Sequence, residues 1–376
     1  MNIAFYAPLK SPHHPNPSGD RQIARLLIRA LQHAGHRVSL VSELRTLEKQ
    51  GDLSAQQRLC RIGKYLADRL LRRWQHTQQT PDLWFTYHLY YKAPDLIGPH
   101  ICRALNIPYL IAEASWSEKR ATGEWACFHQ QVEAALARAD GIYTLNPVDR
   151  LELSRFYQRT RPEMLQRMYD LPAFIDPPAV TSLSRQAIAA RFQLDPALPW
   201  LITVAMMRPG DKMESYTLLS RVLQQSHARF NLLVVGDGVC GAEVRSLLGS
   251  DPRVRFAGKL DNPELFRMFN EFSVNLWPAV NEAIGLNFVE AQSQGVAIIA
   301  GRERGVHSVV ADGQSGILTP PGDTAAMALA LDQLLADPQR LQRYRRHAAD
   351  YIQQQHSLNS TTARLNETLG QFGSHR

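Results

Sequence analysis

Four charged side chains in the second half of the chain have types and spacings suited to one task, gripping a phosphate-linked sugar. Arg208 and Lys212 follow the apolar run 201–205 and so stand just past the end of an expected strand. Two cations there can neutralise a diphosphate and stabilise it as it leaves. Downstream, residues 273–301 read SVNLWPAVNEAIGLNFVEAQSQGVAIIAG. The run 274–277, closed by Pro278, predicts a buried strand; 286–294 predicts a helix stopped by Gly295; 296–300 predicts a second strand. Together these make a parallel βαβ unit. Gly285 lies at the helix entry, where unpaired N–H groups and the helix dipole favour an anion and a missing Cβ lets it approach. Glu290 lies roughly 7–8 Å further along the helix at about 1.5 Å per residue, the step from a pyrophosphate to its ribose hydroxyls. Glu282 lies on the other side of the phosphates, toward a transferred sugar. Spacing alone also leaves open a plain βαβ unit with two surface glutamates, and a surface turn carrying two basic residues.

The order Glu, seven residues, Glu, with glycine three after the first Glu and EAxxxG from the second, resembles the retaining glycosyltransferases of family 4. The resemblance runs through most of the chain and implies the GT-B fold, in which two Rossmann-like α/β domains face each other across a cleft. It implies that Glu290 holds the donor ribose. Glu282 and the backbone of Ala283, Ile284, Gly285 and Leu286 would meet the donor sugar and phosphate. Arg208 and Lys212 resemble the family's basic pair, with a spacing often one residue longer in the family. Gly236, in the GDG turn after the run 230–235, fits a close approach near the nucleotide. Lys259 and Leu260 follow a VxFxG-like strand, where the family commonly contacts the base.

The N-terminal half departs from the pattern. A first strand at 2–7 leads into LKSPHHPNPSGD, where the family usually has two glycines; here Gly19 stands alone, followed by Asp20. A helix at 21–34 and a strand at 36–41 complete another βαβ unit. The strand 82–87 ends at His88, and the strand 107–112 runs on into EASW. Ligands of open α/β sheets bind at strand C-termini. The family's histidine position here holds Ala114, so His88 and Glu113 are the candidates to replace it. In the segment 302–323, His307 and Ser308 replace the family's Pro-Glu, while the DGQSG and PPGD turns are kept.

Residues 56–75 predict a basic amphipathic helix, with Leu59, Ile62, Leu66, Leu70 and Trp74 in one stripe flanked by six Lys and Arg. Such a helix suits an anionic membrane surface, and equally a surface helix packed on its own domain. The net charge of +7 favours anionic partners. Neither a helix-turn-helix nor an aromatic-basic repeat speaks for nucleic acid. The four cysteines are far apart in sequence, with no CxxC or Cys/His cluster, which argues against a metal site or a disulfide framework and suits a reducing compartment. The opening MNIAFYAPLK has no signal-peptide character, and no run is long and apolar enough to span a bilayer.

The expected organisation is an acceptor-side domain at 1–175, joined by a last helix at about 358–373, and a donor-binding domain at 176–357, with the Pro-rich 171–180 between them. The expected activity is retaining transfer of a hexose-type unit from a nucleoside diphosphate sugar to an acceptor hydroxyl, in polysaccharide or glycolipid synthesis. The acceptor is expected to be lipid-linked. No cofactor and no metal are expected, because two cations and a helix terminus do the neutralising and no Asp-x-Asp motif is present. The expected location is the cytoplasm, peripheral on the inner membrane face. The competing readings are a non-catalytic sugar-nucleotide-binding protein and a sugar-nucleotide epimerase on the same fold.

Overall fold

The computed structural model describes residues 1–16 and 18–372. Two compact units share the chain: residues 1–172 with the stretch from Leu358 onward, and Ala173–Ser357.

The first unit alternates strands and helices. Its elements are β1 (Asn2–Tyr6), α1 (Gly19–His33), β2 (Arg37–Ser42), α2 (Leu53–Thr77), β3 (Leu83–Leu89), α3 (Gly98–Leu105), β4 (Tyr109–Ala114), α4 (Ala126–Arg138), β5 (Gly141–Thr144), α5 (Pro147–Thr160) and β6 (Met168–Asp170). The strands pair in parallel in the order β2-β1-β3-β4-β5-β6. β3 and β4 are buried nearly throughout, which is why they read as apolar runs rather than alternations. The order reverses at β1: the chain moves to one side to place β2, then to the other for β3 and the rest. That switch point, between the loops after β1 and β3, is where an open α/β sheet has its crevice.

The second unit repeats the plan. It comprises α6 (Arg185–Phe192), β7 (Trp200–Val204), α7 (Asp211–Gln225), β8 (Asn231–Val235), α8 (Gly241–Leu248), β9 (Val254–Gly258), α9 (Asn262–Phe266), β10 (Val274–Trp277), α10 (Leu286–Gln292), β11 (Ala297–Gly301), β12 (Gly316–Thr319), α11 (Thr324–Ala336) and α12 (Pro338–Gln355). Its parallel sheet runs β12-β11-β10-β7-β8-β9, so the switch point lies between the loops after β7 and β10. A single large core of aromatic and β-branched side chains lies beneath it.

The last helix, α13 (Leu358–Leu369), lies against α1 of the first unit. Thr368 on it shares a 2.7 Å hydrogen bond with the Tyr143 hydroxyl of β5.

Local chemistry sets where these elements begin. Ser18 caps α1 by accepting from the Arg21 N–H, so Gly19 and Asp20 are already helical rather than in the loop expected for them. The 286–294 helix is shorter than its spacing suggests, ending at Gln292. Helix α2 exceeds its expected 56–75 span at both ends, capped by Asp52 and closed by Gln78 in the left-handed region. Apart from Ile62, its apolar stripe packs on its own domain. Trp74 is buried, Leu66 and Leu70 pack on the core of the first unit, and Leu59 packs beside Leu96 and Phe128. Gly63 lies so close to Leu96 that an added Cβ would sit 2.4 Å from that residue's Cβ. What α2 leaves outward is its basic face, Arg58, Arg61, Lys64, Arg69, Arg72 and Arg73, with the exposed Ile62 and Tyr65 among them. Among the described residues, no helix is long and apolar enough to cross a membrane.

Candidate active site

The switch point of the second unit gathers most of the residues singled out by spacing. Lys212 lies in the first turn of α7 and Glu282 in the loop after β10. Their side chains meet at 2.6 Å (Nζ to Oε2), each less than one-fifth exposed. This ion pair ties the two loops that border the crevice. Two further bonds reinforce it: the Val280 N–H donates to Ser215 Oγ at 3.0 Å, and Asn281 Nδ2 to Asp211 Oδ1 at 3.0 Å. The Lys212 ammonium also stands 5.7 Å from the centre of the Trp277 ring. Arg208 is exposed and makes no hydrogen bond or ion pair among the described residues, so its charge is uncommitted.

Past Glu282 the backbone turns with its N–H groups unused. Among the described residues, no acceptor takes the N–H of Ala283, Ile284, Gly285, Leu286 or Asn287. Gly285 is the N-cap of α10 at φ 73°, a left-handed conformation that strains any side chain. Helix α10 has only seven residues, so these local N–H groups outweigh any long-range dipole. A glycine that spacing did not mark supports the loop. The Gly305 N–H donates to the Glu282 carbonyl at 2.8 Å, and a Cβ at 305 would lie 2.0 Å from the Ala283 oxygen.

Glu290 is buried on α10, and its Oε1 accepts from Asn262 Nδ2 at 3.3 Å. Asn262 opens α9, directly after the loop that carries exposed Lys259 and half-buried Leu260. The carboxylate and the loop assigned to the base are thus neighbours. Gly236 has a packing duty within the unit. Its missing Cβ makes room for the Ala205 carbonyl, 1.9 Å from where that atom would stand, and its own N–H is bonded to the Gly258 oxygen. The close approach at Gly236 is therefore between two segments of this chain.

The switch point of the first unit holds a separate cluster. His88 ends up within 3.3 Å of Asp20 Oδ1 and 3.6 Å of Glu113 Oε2, all measured from Nδ1. Neither contact has hydrogen-bond geometry, and Glu113 Oε2 and the Tyr87 hydroxyl also lack hydrogen bonds although buried. Both His88 (φ 63°) and Glu113 (φ 59°) occupy the left-handed region, at the ends of adjacent strands. Burial opposes charge on His88, but the carboxylates of Glu113 and Asp20 override it and push its pKa up to about 9. Burial pushes Glu113 up. Burial acts the same way on Asp20, yet the adjacent imidazolium of His88 leaves it below the usual range. Asp149 joins from α5, accepting from Ser115 Oγ at 3.0 Å and from Asn146 Nδ2 at 2.6 Å. The sequence offers His88 and Glu113 as alternatives; the structure places them side by side, with Asp20 as a third neighbour. Gly19 stands beside them, with no heavy atom within 4 Å of where its Cβ would be.

Comparison with known proteins follows the same division. Residues 199–337 match the family model described as Glycosyl transferases group 1. That group 1 segment lies wholly within the second unit and contains Arg208, Lys212, Glu282 and Glu290. An α-D-kanosaminyltransferase of Streptomyces kanamyceticus is 24% identical over 64% of this chain and 62% of its own. A D-inositol 3-phosphate glycosyltransferase of Corynebacterium urealyticum is 38% identical over 26% of this chain and 23% of its own. The chain therefore spans between about a quarter and three-fifths of these two relatives, both named glycosyltransferases. Whole-chain likeness comes from structures. Sucrose-phosphate synthase of Thermosynechococcus elongatus covers 99% of this chain and 98% of its own at TM-score 0.69 and 20% identity. Anabaena HepE, solved with UDP, covers 99% and 100% at TM-score 0.73 and 15% identity. The expected α/β fold of two Rossmann-like units, matching GT-B glycosyltransferase structures, is borne out.

The first-unit cluster makes a titration prediction. His88 should titrate near pH 9 by NMR; a midpoint at or below its ordinary 6.5 would contradict the charged arrangement. A raised folded-state pKa stabilises the fold fully below the unfolded value and is lost as pH rises through about 9. Unfolding free energy should therefore fall between about pH 7 and 10, and His88→Asn should flatten that decline.

Proposed function

We propose that the chain is a retaining glycosyltransferase that moves a sugar from UDP-sugar to an acceptor hydroxyl, in polysaccharide or glycolipid synthesis. The observation that carries this reading is the Lys212–Glu282 bridge across the second unit's switch point, beside unused N–H groups at 283–287. In this reading Lys212 and Arg208 take the diphosphate charge, and the N–H groups bind its oxygens. Glu282, freed as Lys212 turns to phosphate, accepts from the transferred sugar. Glu290 accepts from the ribose diol, held in place by Asn262. Uridine is favoured because the HepE neighbours were solved with UDP and UDP-glucose. The leaving phosphate assists attack on the same face, so no side-chain nucleophile is required, and the two cations make a metal unnecessary.

Several outcomes test these roles. Glu290→Ala should weaken UDP binding, and Arg208→Ala should slow turnover by ~10²-fold, the usual cost of removing a charge stabiliser. Wild-type affinity in the first and wild-type turnover in the second would reject the assignments. Turnover should be unchanged by EDTA, and the product should keep the donor's anomeric configuration. Tight UDP-sugar binding with no transfer to any acceptor favours the binding-protein alternative, and a change in the sugar's own stereochemistry favours the epimerase.

We also propose that the outward basic face of α2 rests on an anionic bilayer, holding the enzyme near a lipid-linked acceptor on the inner membrane face. Because Trp74 is buried and Leu59, Leu66 and Leu70 pack on the domain, attachment is electrostatic, with the exposed Ile62 and Tyr65 as shallow contacts. Vesicles containing phosphatidylglycerol should bind the chain at low salt and release it by about 0.5 M, where screening is short-ranged. Charge reversal at Arg69, Arg72 and Arg73 should abolish binding; retention by that variant contradicts the proposal.

A further inference from the structure

Two thiols far apart in sequence meet at a helix contact in the first unit. Cys60 lies on α2 and Cys127 in the first turn of α4, and all four cysteines of the chain are free thiols. The contact is built around Gln56, fully buried one helical turn before Cys60. Its Nε2 donates to the Glu124 carbonyl at 2.7 Å, and its Oε1 accepts from the Phe128 N–H at 3.2 Å. One amide thus grips the start of α4 on both sides of Cys127. Residues four apart share a helix face, so the turn that fixes Gln56 also turns Cys60 toward the start of α4. There Cys60 packs against the cluster of Leu96, Trp125 and Phe128. Three residues on, Gly63 rests against Leu96 with no room for a Cβ, which fixes this stretch of α2 in place.

The two sulfurs act on each other. Burial, and then the neighbouring Cys127 sulfur, push the Cys60 thiol up to about 12. Cys60 therefore stays a thiol at neutral pH, and the reactive member of the pair is Cys127. The other two cysteines are placed differently. Cys102 is wholly buried, with its sulfur 3.9 Å from the Pro108 carbonyl oxygen, and Cys240 belongs to the second unit. Cys60 and Cys127 are each only half-buried, so a small reagent can reach them.

We infer that Cys60 and Cys127 form a reversible dithiol–disulfide site, oxidised by a small-molecule disulfide of the glutathione class, that locks α2 to α4. The inference is independent of the transferase reading. Single disulfides of this kind in a reducing compartment are characteristically transient and redox-sensing. The chemistry is two successive exchanges. The Cys127 thiolate attacks one sulfur of the reagent, whose S–S bond breaks; a mixed disulfide forms on Cys127, and the first reagent thiol leaves with the proton that Cys127 gave up. Bonding removes the Cys127 charge, one of the causes that hold the proton on Cys60. Cys60 then loses its proton and attacks the Cys127 sulfur, and the second reagent thiol leaves with that proton. Two protein thiols are oxidised to one disulfide, and one reagent disulfide is reduced to two thiols. The new bond encloses β3, α3 and β4 in a covalent loop and fixes the helix that carries the outward basic face.

The test equilibrates the full chain in glutathione buffers from fully reduced to fully oxidised, quenches with acid, alkylates under denaturing conditions and maps the cysteines by peptide mass spectrometry. Oxidation should remove the Cys60 and Cys127 thiols together as one crosslinked peptide, which dithiothreitol reverses, while Cys102 stays a thiol. The midpoint of thermal unfolding should rise by several degrees on oxidation, because the crosslinked unfolded chain has less freedom, and should not rise in Cys60→Ser. That variant should instead collect the mixed disulfide on Cys127, and Cys127→Ser should leave Cys60 unmodified. No Cys60–Cys127 crosslink at any buffer ratio overturns the inference. So does a mixed disulfide that persists on Cys127 in the unmutated chain, or a crosslink to Cys102 or Cys240 in its place. Mapping the unmutated chain decides the matter even where a variant fails to fold.

Discussion

The second unit depends on one ion pair placed at a topological break. Its sheet grows outward from β7 in both directions, so the loops after β7 and β10 diverge and leave their backbone groups exposed. Lys212 and Glu282 draw those loops together at 2.6 Å. Such a pair, mostly withdrawn from water, is costly unless other bonds support it. Here the support is Asn281 on Asp211, Val280 on Ser215 and Gly305 on the Glu282 carbonyl. The same frame that steadies the pair keeps a row of N–H groups open and a cation partly neutralised. In the proposed reading an incoming diphosphate replaces Glu282 as the partner of Lys212, its oxygens also satisfying the N–H row.

The first unit solves the corresponding problem differently. Its break lies between β1 and β3, and the groups that meet there are Asp20 from α1 and His88 from β3, with Glu113 from the neighbouring β4. Charge balance, rather than a close ion pair, holds this set. Two carboxylates keep a buried imidazole protonated, and its charge in turn keeps Asp20 ionised. The result is a mixed set of donors and acceptors in strained backbone, where the second unit presents cations and N–H groups.

Much of this was legible in the chain itself. Apolar runs closed by Pro or Gly located the central strands, and a cation pair after one strand with two spaced glutamates after another marked the second unit's crevice. What stayed hidden depends on contacts between distant segments. That Lys212 touches Glu282 follows from β7 lying beside β10, which spacing cannot show. Asn262 reaches Glu290 across 28 positions, and nothing in its own neighbourhood signals it. Gly305 and Gly236 are glycines because carbonyls of other loops occupy the space of a Cβ. The stripe on α2 was read correctly as amphipathic, but only the fold decides that Trp74 faces inward. Asp20 stands next to an expected glycine and carries no signal of its own, because it meets His88 only once β1 lies beside β3.

The central claim is that the second unit's switch point binds a nucleoside diphosphate through Lys212 and the adjoining backbone. A crystal structure of the chain with UDP tests it most directly. The account predicts diphosphate oxygens within about 3 Å of Lys212 Nζ and of N–H groups at 283–287, with the ribose on Glu290. Density for UDP elsewhere, with the Lys212–Glu282 pair intact and the N–H row untouched, would contradict it.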